Sequence, residues 1–391
     1  MLDGTNVALG LSGSIAAVKT VELAHELRRQ GASVRGVMTE SARGIIHPWA
    51  VEFATGHAPI TELTGAVEHV DLCGRDGWAD VLLIAPATAN TVGKIAAAVD
   101  DTPVTTCATT ALGADVPVVV APAMHEPMYD HPGVLDAIDR VESWGVDFVD
   151  PRIEEGKAKI AAEDTIVTAT ARAATPSPLA DRHVVVTSGA TTESIDPIRT
   201  LSNRASGRTG RAIARACYVR GADVTLVHDG PGVHHADVRS VESVAEMLAA
   251  AERVVGGDAG AHGPADALIS AAAIGDFTVE TAAEKLRSGE SLTLELEPTP
   301  KLLDRVRATA PDLPMVGFKA ETEGDDDAMV SRARSLLKRV DLDLVVANDA
   351  SVMSDDRTRT LLVRDESVVS YEGSKTGLGA RVADGLVEVL D

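Results

Sequence analysis

Short apolar runs alternate with longer amphipathic segments along most of the chain. The first run, NVALGL, is followed by a Gly/Ser loop and then by polar residues at helical spacing, Lys19, Glu22, Glu26 and Arg29. This polar stripe predicts a surface helix that starts near Ile15 and ends at Gly31. The next apolar runs, bounded by Gly, Pro or Asp, are ASVRGVMTE, ADVLLIAPAT and DVPVVVAPAM. Alternating strands and helices predict a parallel sheet with helices on both faces.

The same pattern starts again in the second half. Residues 171–182 are rich in Ala, Pro and Ser and lack periodicity, and we place a linker at 173–182. Further strands are predicted at HVVVTSGATTE, ADALISAAA, PMVGFKAE and LDLVVANDAS, and TRTLLVRDESVVSYEG predicts a hairpin. The fold class is therefore α/β, with two tandem three-layer domains at 1–172 and 183–391.

Composition and charge narrow the class of protein. The 391 residues exceed one ordinary core, and 45% apolar residues indicate a folded chain. The formal charge of −23, from 36 basic and 59 acidic residues, argues against nucleic-acid and anionic-membrane partners, which need a basic surface. We interpret the excess of acidic residues as adaptation to a salt-rich cytoplasm; the alternative is solubility through net charge.

The cysteines and the N-terminal segment bear on the cellular compartment. Cys73, Cys107 and Cys217 lie far apart, without metal-ligand spacing, so neither a disulfide framework nor a zinc site is expected. The N-terminal segment has no basic region of a signal peptide, and no apolar run reaches the roughly 18 residues of a membrane span. We expect a cytoplasmic protein.

Three loops of the first half could bind a ligand. GLSGSIAA (Gly10–Ala17) lies between a strand and a helix, where free N–H groups and the helix dipole favour an anion. Tight turns also need small residues, and the glycine spacing of the usual dinucleotide loop is missing. APATANTVGKIA (Ala85–Ala96) and APAMHEPMYDHP (Ala121–Pro132) follow strands, at the edge where open α/β sheets bind ligands.

With these three motifs in this order, the first half resembles the flavin-dependent cysteine decarboxylases. The resemblance implies a flavodoxin- or Rossmann-like domain that binds FMN. It also implies that His69, in VEHVDL, is the catalytic histidine and that the PAM segment closes over the substrate carboxylate. The FMN-binding residues implied are Ser12, Gly13, Ser14, Thr39, Pro86, Thr88, Ala89, Asn90 and Thr91.

The chemistry of this family explains the set. Oxidation of the thiol-bearing carbon by FMN creates an electron sink that lets CO₂ leave, and His69 would act near the thiol.

The sequence departs from the family at two places. His125 stands where bacterial members have Asn after PAM, and can still donate a hydrogen bond to a carboxylate. The flap cysteine that donates a proton is missing, and Lys157, Lys159 or Glu155 could replace it.

The segment TSGATTESIDPIRTLSNRASGRTG resembles the signature of phosphopantothenate–cysteine ligases. Arg204, Arg208 and Arg211, with the N–H groups of a helix starting near Gly207, predict a local anion cradle within an acidic protein. The alternative is that Arg208 and Arg211 belong to a solvated helix face. The implied catalytic residues are Asn203, which would hold the activated carboxylate, and Lys285.

The ligase resemblance also implies a nucleotide site, a Rossmann-like fold and CTP as co-substrate. Transfer of a nucleotidyl group to the carboxylate needs Lys285 and Mg²⁺ to neutralise charge on the α-phosphate. Mg²⁺ would be carried mainly by the triphosphate, so no protein ligands are assigned. The residues implied for substrate and nucleotide are Gly189, Arg204, Ser206, Gly207, Arg208, Ala272, Asp276, Lys285, Pro300, Lys301, Phe318 and Lys338.

Together the two resemblances imply a bifunctional enzyme of coenzyme A biosynthesis, of an archaeal, salt-adapted type. The C-terminal domain would join 4′-phosphopantothenate and cysteine, and the N-terminal domain would decarboxylate the product to 4′-phosphopantetheine. The families also imply a homo-oligomer, with trimeric decarboxylase and dimeric ligase contacts. Three alternatives remain: a decarboxylase that stops at an enethiol, a non-catalytic regulatory relative, and an NAD-dependent dehydrogenase, which the missing GxGxxG loop disfavours.

Overall fold

The computed structural model describes residues 1–154, 157–257, 262–287, 289, 291–321, 325–349 and 357–391. The chain divides into two compact units, Met1–Pro176 and Ser177–Asp391. No helix within the described ranges is both long enough and apolar enough to cross a bilayer.

The first unit alternates strands with helices. Its strands are β1 (Asn6–Leu11), β2 (Ser33–Met38), β3 (Val81–Ala87), β4 (Val118–Pro122), β5 (Met124–His125), β6 (Asp147–Phe148), β7 (Arg152–Glu154) and β8 (Lys157–Lys159). Its helices are a 3₁₀ helix (Ile15–Lys19), α1 (Thr20–Arg29), α2 (Glu40–Arg43), α3 (Pro48–Thr55), α4 (Glu68–Cys73), α5 (Ala89–Ala96), α6 (Pro103–Gly113), α7 (Glu126–Tyr129), α8 (Pro132–Glu142) and α9 (Glu163–Ala174).

Five of these strands form a parallel sheet in the order β2-β1-β3-β4-β6. This is the flavodoxin-like order, in which the direction of winding reverses between β1 and β3. Every residue of β3 is buried, as expected for a strand covered on both faces. Leu82 and Ile84 pack into the core beneath α4, α5, α6 and α8, and α1 and α9 lie together elsewhere in the unit.

Two boundaries differ from the sequence prediction. The helix expected from Ile15 starts as a 3₁₀ turn and becomes α-helical at Thr20. Ala173 and Ala174, which we assigned to the linker, complete α9, because the run of good helix formers continues to Ala174. Between α9 and the next strand, Leu179 is already buried in the core of the second unit.

The second unit contains twelve strands and five helices within its described residues. The strands are β9 (His183–Ser188), β10 (Thr192–Ser194), β11 (Thr200–Ser202), β12 (Asp223–His228), β13 (Asp237–Ser240), β14 (Ala267–Ser270), β15 (Phe277–Val279), β16 (Leu296–Pro298), β17 (Met315–Glu321), β18 (Leu344–Asp349), β19 (Arg357–Val363) and β20 (Val368–Ser374). The helices are α10 (Arg208–Val219), α11 (Val244–Val255), α12 (Leu302–Thr309), α13 (Asp326–Val340) and α14 (Lys375–Leu390).

Eight of these strands form one sheet in the order β13-β12-β9-β14-β17-β18-β19-β20. The first six are parallel and follow the Rossmann order 3-2-1-4-5-6, whereas β19 and β20 form the predicted C-terminal hairpin at the edge. One core lies under α11, α12 and α13, and another lies under α10 and α14. The predicted three-layer α/β fold is thus confirmed.

Candidate functional site

Three loops meet at the carboxyl edge of the first sheet, where the strand order reverses. Ser12 follows β1, and its hydroxyl donates to the carbonyl of Pro86 at 2.8 Å and accepts the N–H of Thr88 at 3.0 Å. The loop after β4 joins them because the N–H of Ala123 donates to the carbonyl of Ala87 at 2.9 Å. The Gly/Ser loop, the PATANT segment and the PAM segment therefore form one continuous surface.

The Gly/Ser loop has the packing and the donors that a phosphate requires. A Cβ on Gly13 would lie only 2.5 Å from the Cβ and Oγ of Ser41. Ser14 caps the 3₁₀ helix, accepting the N–H of Ala16 at 3.4 Å, and the hydroxyl of Thr39 lies 3.0 Å from that of Ser41. The first turn contains no acidic side chain. Small residues and hydroxyls before a helix fit the phosphate of FMN.

The PATANT segment mainly builds the start of α5. The hydroxyl of Thr88 accepts the N–H of Thr91 at 3.3 Å, and the two hydroxyls lie 3.1 Å apart. Thr91 is buried and its side chain stabilises the helix start, whereas its direct contact with FMN stays a prediction. Ala89 is half-buried, whereas Asn90 is exposed and can reach a ligand.

His69 is the second residue of α4 and is half-buried. Its Nδ1 is buried and has no hydrogen-bond partner in the part of the chain that the structure describes. Two hydrogen bonds from Thr64, from its hydroxyl and its N–H, hold the pKa of Glu68 below its ordinary value and fix the start of α4. Because α4 leads back to the amino end of β3, its first turn lies toward the carboxyl edge. An unpartnered buried nitrogen on that side fits a role toward a ligand.

His125 is the second residue of β5, in a small antiparallel sheet with the order β5-β8-β7. In the pairing of β5 with β8, exposed His125 stands opposite Lys157. Lys159 lies two residues further along β8, and its Nζ is 3.1 Å from Oε2 of Glu154. The structure thus brings Lys157 to the PAM segment and engages Lys159 elsewhere, whereas Glu155 lies outside the described residues.

A second meeting of loops occurs at the switch point of the second sheet, between β9 and β14. The N–H of Ala273 donates to the carbonyl of Gly189 at 2.8 Å, and the N–H of Thr191 donates back to Ala273 at 3.2 Å. The hydroxyl of Thr191 also accepts the N–H of Gly275 at 2.8 Å. Gly189 and Ala272, two predicted site residues that lie far apart in sequence, are thus brought together at this edge of the sheet.

The SNRASG loop, residues 202–207, joins this edge through its asparagine. The side-chain amide of Asn203 donates to the carbonyl of Ala273 at 3.0 Å. Arg204, Ser206 and Arg208 are exposed around it. The loop and the first residue of α10 therefore present an amide and two guanidinium groups at the edge where the strands end.

Gly207 ends the loop with φ +67°, and α10 begins after it without a side-chain cap or an acidic residue in its first turn. Such a helix start favours an anion. Arg211 does not belong to a solvated helix face, because its Nη2 donates to the carbonyl of Ser206 at 3.0 Å and its Nη1 lies 3.0 Å from Nε2 of His228. That alternative from the sequence is wrong for Arg211.

Lys285 is exposed, but the backbone beside it is clamped on both sides. The N–H of Leu286 donates to Oδ2 of Asp196 at 3.1 Å, and the guanidinium of Arg199 donates to the carbonyl of Leu286. Burial opposes the ionisation of Asp196, but backbone N–H groups of Ile198, Leu286 and Arg199 outweigh it and lower its pKa. The DPIR segment (Asp196–Arg199) thus holds the backbone next to Lys285.

The predicted nucleotide wall is only partly assembled. Asp276 and Lys301 form an ion pair, which brings the segment after β14 to the start of α12. Pro300 is exposed beside Lys301. Phe318 is half-buried on β17 and packs against the core under α10 and α14.

Lys338 is not part of this edge. It lies in the last turn of α13, which leads into the amino end of β18, and its Nζ is 3.8 Å from Oδ1 of Asp365 in the β19–β20 turn. A helix that precedes a parallel strand ends at the opposite edge from the site. The prediction that Lys338 touches the triphosphate is therefore corrected.

Sequence reasoning missed residues that hold the second site together. Glu193 accepts the N–H of Val244 and the hydroxyl of Thr278, both at 2.8 Å, and so ties β10 to α11 and β15. His228 was also missed, although its ring touches Arg211. Glu193 lies within β10 and His228 ends β12, and only their closeness to the ligase signature and to a strand end could have indicated them. No group of three His, Cys, Asp or Glu side chains that could hold a metal occurs among the described residues.

Comparison with known proteins identifies the family. A family model described as Flavoprotein matches residues 1–175, and one described as DNA/pantothenate metabolism flavoprotein C-terminal domain matches residues 179–390. The coenzyme A biosynthesis bifunctional protein CoaBC of Thermococcus kodakarensis is 45% identical and covers 100% of this chain and 96% of its own length. The chain belongs to the CoaBC family. The CoaBC proteins of Methanocaldococcus jannaschii and Bacillus subtilis are 33% and 34% identical over 100% and 89% of this chain, and over 95% and 87% of their own lengths.

Membership of the CoaBC family confirms the bifunctional assignment. The chain carries phosphopantothenoylcysteine decarboxylase and phosphopantothenate–cysteine ligase activities of coenzyme A biosynthesis. The flavoprotein domain confirms FMN as the expected cofactor of the first unit. The non-catalytic relative and the NAD-dependent dehydrogenase are therefore set aside.

Proposed function

We propose that the second domain activates 4′-phosphopantothenate with CTP and passes the acyl group to cysteine. The observation that carries this proposal is the convergence at the switch point of the second sheet. Asn203 is bonded to the turn after β14, and the DPIR segment clamps the backbone beside Lys285. One site would thus combine an amide, a lysine and an anion-binding helix start.

The proposed chemistry takes place in two steps. A carboxylate oxygen of 4′-phosphopantothenate attacks the α-phosphorus of CTP, forming acyl-CMP and releasing pyrophosphate. The amine of cysteine then attacks the acyl carbon, forming the amide and releasing CMP and a proton. Lys285 would neutralise the charge that develops on the α-phosphate, and Mg²⁺ would arrive on the triphosphate. Arg204, Arg208 and the first turn of α10 would hold the substrate phosphate.

In the first domain, the loops after β1, β2 and β3 would hold FMN, which supplies reversible hydride acceptance at the thiol-bearing carbon. Their small residues and hydroxyls support this placement, as does the crowded Gly13. The imidazole of His69 would accept the thiol proton, and exposed His125 would donate a hydrogen bond to the substrate carboxylate. The product is 4′-phosphopantetheine.

Lys157 would supply the last proton in place of the missing flap cysteine. Its position opposite His125 in the β5–β8 pairing supports this assignment, because the PAM segment lies at the substrate carboxylate in the proposed site. Lys159 is less suited, because its ammonium is already bound to Glu154.

A homo-oligomer would complete the enzyme. Trp49 and Phe53 lie one turn apart on α3 and are 76% and 75% exposed, and Ile15 beside the Gly/Ser loop is 77% exposed. Large apolar side chains in such numbers on a surface favour burial against another copy. We propose trimeric decarboxylase contacts, dimeric ligase contacts and a cytoplasmic location.

A mass-spectrometric time course tests the proposed sequence of reactions. The FMN-loaded full chain is incubated in molar KCl with 4′-phosphopantothenate, cysteine, CTP and Mg²⁺. We expect phosphopantothenoylcysteine and CMP first and 4′-phosphopantetheine afterwards. Replacement of CTP by ATP without loss of rate would contradict the nucleotide assignment.

A second candidate function follows from the flap, which has no cysteine between Pro151 and Asp164. In that case the first domain would release an enethiol instead of the fully reduced product. The same time course distinguishes the two, because the enethiol is two hydrogens lighter than 4′-phosphopantetheine.

A further inference from the structure

We propose that Asp229, His228 and Arg211 form a positioning chain that fixes the SNRASG loop for the phosphate of 4′-phosphopantothenate. The inference rests on the proposed function, because it takes this loop and the start of α10 as the phosphate site. None of the three residues was needed to assign the reaction. They lie together at the carboxyl edge of the second sheet.

The imidazole of His228 determines which group donates and which accepts among these three side chains. His228 is the last residue of β12 and is 1% exposed. Its Nε2 lies 3.0 Å from Nη1 of Arg211, and a guanidinium can only donate, so Nε2 accepts. The ring proton must then reside on Nδ1, which lies 3.2 Å from Oδ1 of Asp229 without a directed hydrogen bond. The two charged neighbours select one tautomer of a neutral ring.

Arg211 carries this arrangement to the loop. Its Nη2 donates to the carbonyl of Ser206 at 3.0 Å, while the hydroxyl of Ser188 donates to the carbonyl of Gly207 at 2.9 Å. Two consecutive carbonyls of the loop are thereby held, just before the uncapped start of α10. A Cβ on Gly207 would lie 2.7 Å from Cε1 of His228, so the loop is packed directly against the ring.

Asp229 occupies a place that the sequence keeps open. A Cβ on Gly189 would lie 1.7 Å from Oδ1 of Asp229, so only glycine at that position leaves room for the carboxylate. Gly189 has φ +84° and belongs to the switch-point loop. The carboxylate of Asp229 therefore connects these three side chains to the loop that carries Gly189. The same loop meets the turn after β14.

The ring of His228 is held neutral by its surroundings. Burial lowers its pKa and the guanidinium of Arg211 lowers it further, whereas the carbonyl of Ser188 and the carboxylate of Asp229 oppose this shift. Protonation would set an imidazolium against a guanidinium and remove the acceptor that Arg211 uses. We therefore expect the loop to lose its support as the pH falls through the lowered pKa of His228.

His183 provides a contrast within the same sheet. It is buried at the start of β9, and its nitrogens meet neutral partners, Thr225 at 2.8 Å and the carbonyl of Gly263 at 3.1 Å. That arrangement satisfies a core histidine at the edge away from the site. His228 instead lies between a carboxylate and a guanidinium at the site edge, which favours a positioning role.

The experiment measures ligase activity by pyrophosphate release, with 4′-phosphopantothenate varied at several pH values from neutral to acid. The variants are His228→Leu, which removes the acceptor, and His228→Gln, which keeps a carbonyl acceptor for Arg211 but cannot titrate. We expect His228→Leu to raise KM for 4′-phosphopantothenate about tenfold with kcat little changed, the size expected for a lost hydrogen bond to a charged group. His228→Gln should keep the wild-type KM at neutral pH and show a smaller rise in acid, the part that remains being due to protonation of the substrate phosphate. His183→Gln is the matched control.

The outcomes are decisive in each case. An acid rise of KM in His228→Gln as large as in wild type would overturn the inference, because protonation of the substrate phosphate contributes equally to both. Equal KM values in His228→Leu and wild type would also overturn it. If His228→Leu does not fold, as judged by circular dichroism, His228→Gln and Asp229→Asn decide, and Asp229→Asn should raise KM in the same direction. Failure of the proposed function is distinguishable, because the wild-type chain would then release no pyrophosphate at any pH.

Discussion

The two units place their candidate sites by the same rule and fill them with different chemistry. Each site lies at the carboxyl edge of a parallel sheet, where the strand order reverses. The loops of the first unit are tied by uncharged groups, such as the hydroxyl of Ser12 between Pro86 and Thr88. Those of the second use charged side chains as well, such as Asp196 at Leu286 and Arg211 at Ser206. Topology sets the place of a site, and the loop residues set its ligand.

The difference fits what each site has to do. A phosphate held by backbone N–H groups and hydroxyls suits a cofactor that stays in place. A site that must bring three substrates together and neutralise a triphosphate needs cations, and some cations of this edge are paired with acids, as Lys301 is with Asp276. The following predictions test whether the two units keep this division.

Loss of Lys285 should abolish one activity and spare the other. We expect Lys285→Ala to reduce ligase kcat by about 10³-fold, since it removes a charge aimed at the reacting phosphate. Decarboxylation of supplied phosphopantothenoylcysteine should be unchanged. Lys338→Ala, at the opposite edge of the same sheet, is the control and should leave ligation intact, as measured by CMP release.

His69 tests the same division from the other unit. His69→Gln should slow decarboxylation by about 10²-fold or more, the usual effect of removing a proton-transferring group, with no change in ligation. The assay is CO₂ release from supplied phosphopantothenoylcysteine. The control, His131→Gln at an exposed histidine, should leave the rate of decarboxylation unchanged. Slower ligation in His69→Gln would contradict the independence of the two sites.

Lys157 tests how the first unit completes its reaction. Lys157→Ala should cut the formation of 4′-phosphopantetheine by up to about 10²-fold and let the enethiol accumulate, because the proposed proton donor is removed. Lys159→Ala, whose partner is Glu154, should change the product ratio little. Mass spectrometry of the products decides, and identical ratios in both variants would refute the assignment.

Gly13 tests whether the uncharged loop holds the cofactor. Gly13→Ala should lower FMN affinity about tenfold, because a Cβ would strike Ser41 at 2.5 Å and displace the loop. Flavin absorbance after dialysis measures the loss. The double variant Gly13→Ala with Ser41→Gly should recover much of the binding, since the two nearest atoms, the Cβ and Oγ of Ser41, are then gone. Gly113→Ala, which meets open space, is the control.

Asp196 should give the smallest effect, because it acts through Leu286. Asp196→Asn should lower ligase kcat up to about tenfold by loosening the backbone beside Lys285. The folded-state pKa of Asp196 lies below its unfolded value, so its stabilising effect is present above the unfolded pKa and fades as the pH falls through the folded pKa. Melting temperatures of wild type and variant should therefore converge in acid. A difference independent of pH would contradict this account.

Much of the fold can be predicted from the sequence because the pattern of apolar and polar residues reflects which positions are buried. Runs such as VLLIAPA are apolar throughout because a central parallel strand is buried on both faces. Their alternation with amphipathic helices predicts the layers, and motifs placed directly after strands predict which edge carries the sites. Family membership and both activities were accordingly predicted from the motifs alone and confirmed by the relatives.

Side-chain partnership was decided only by the tertiary structure. Lys338 and Lys301 are both lysines near the ligase motifs in sequence, yet one pairs with Asp365 at the far edge and the other with Asp276 at the site. Arg211 fits a solvated helix face by spacing, yet its guanidinium turns to His228 and Ser206. Local pattern determines which elements form and which faces are buried, because burial acts residue by residue. Which charges meet depends on strand order and on contacts between distant segments, and these exist only once the sheet has assembled.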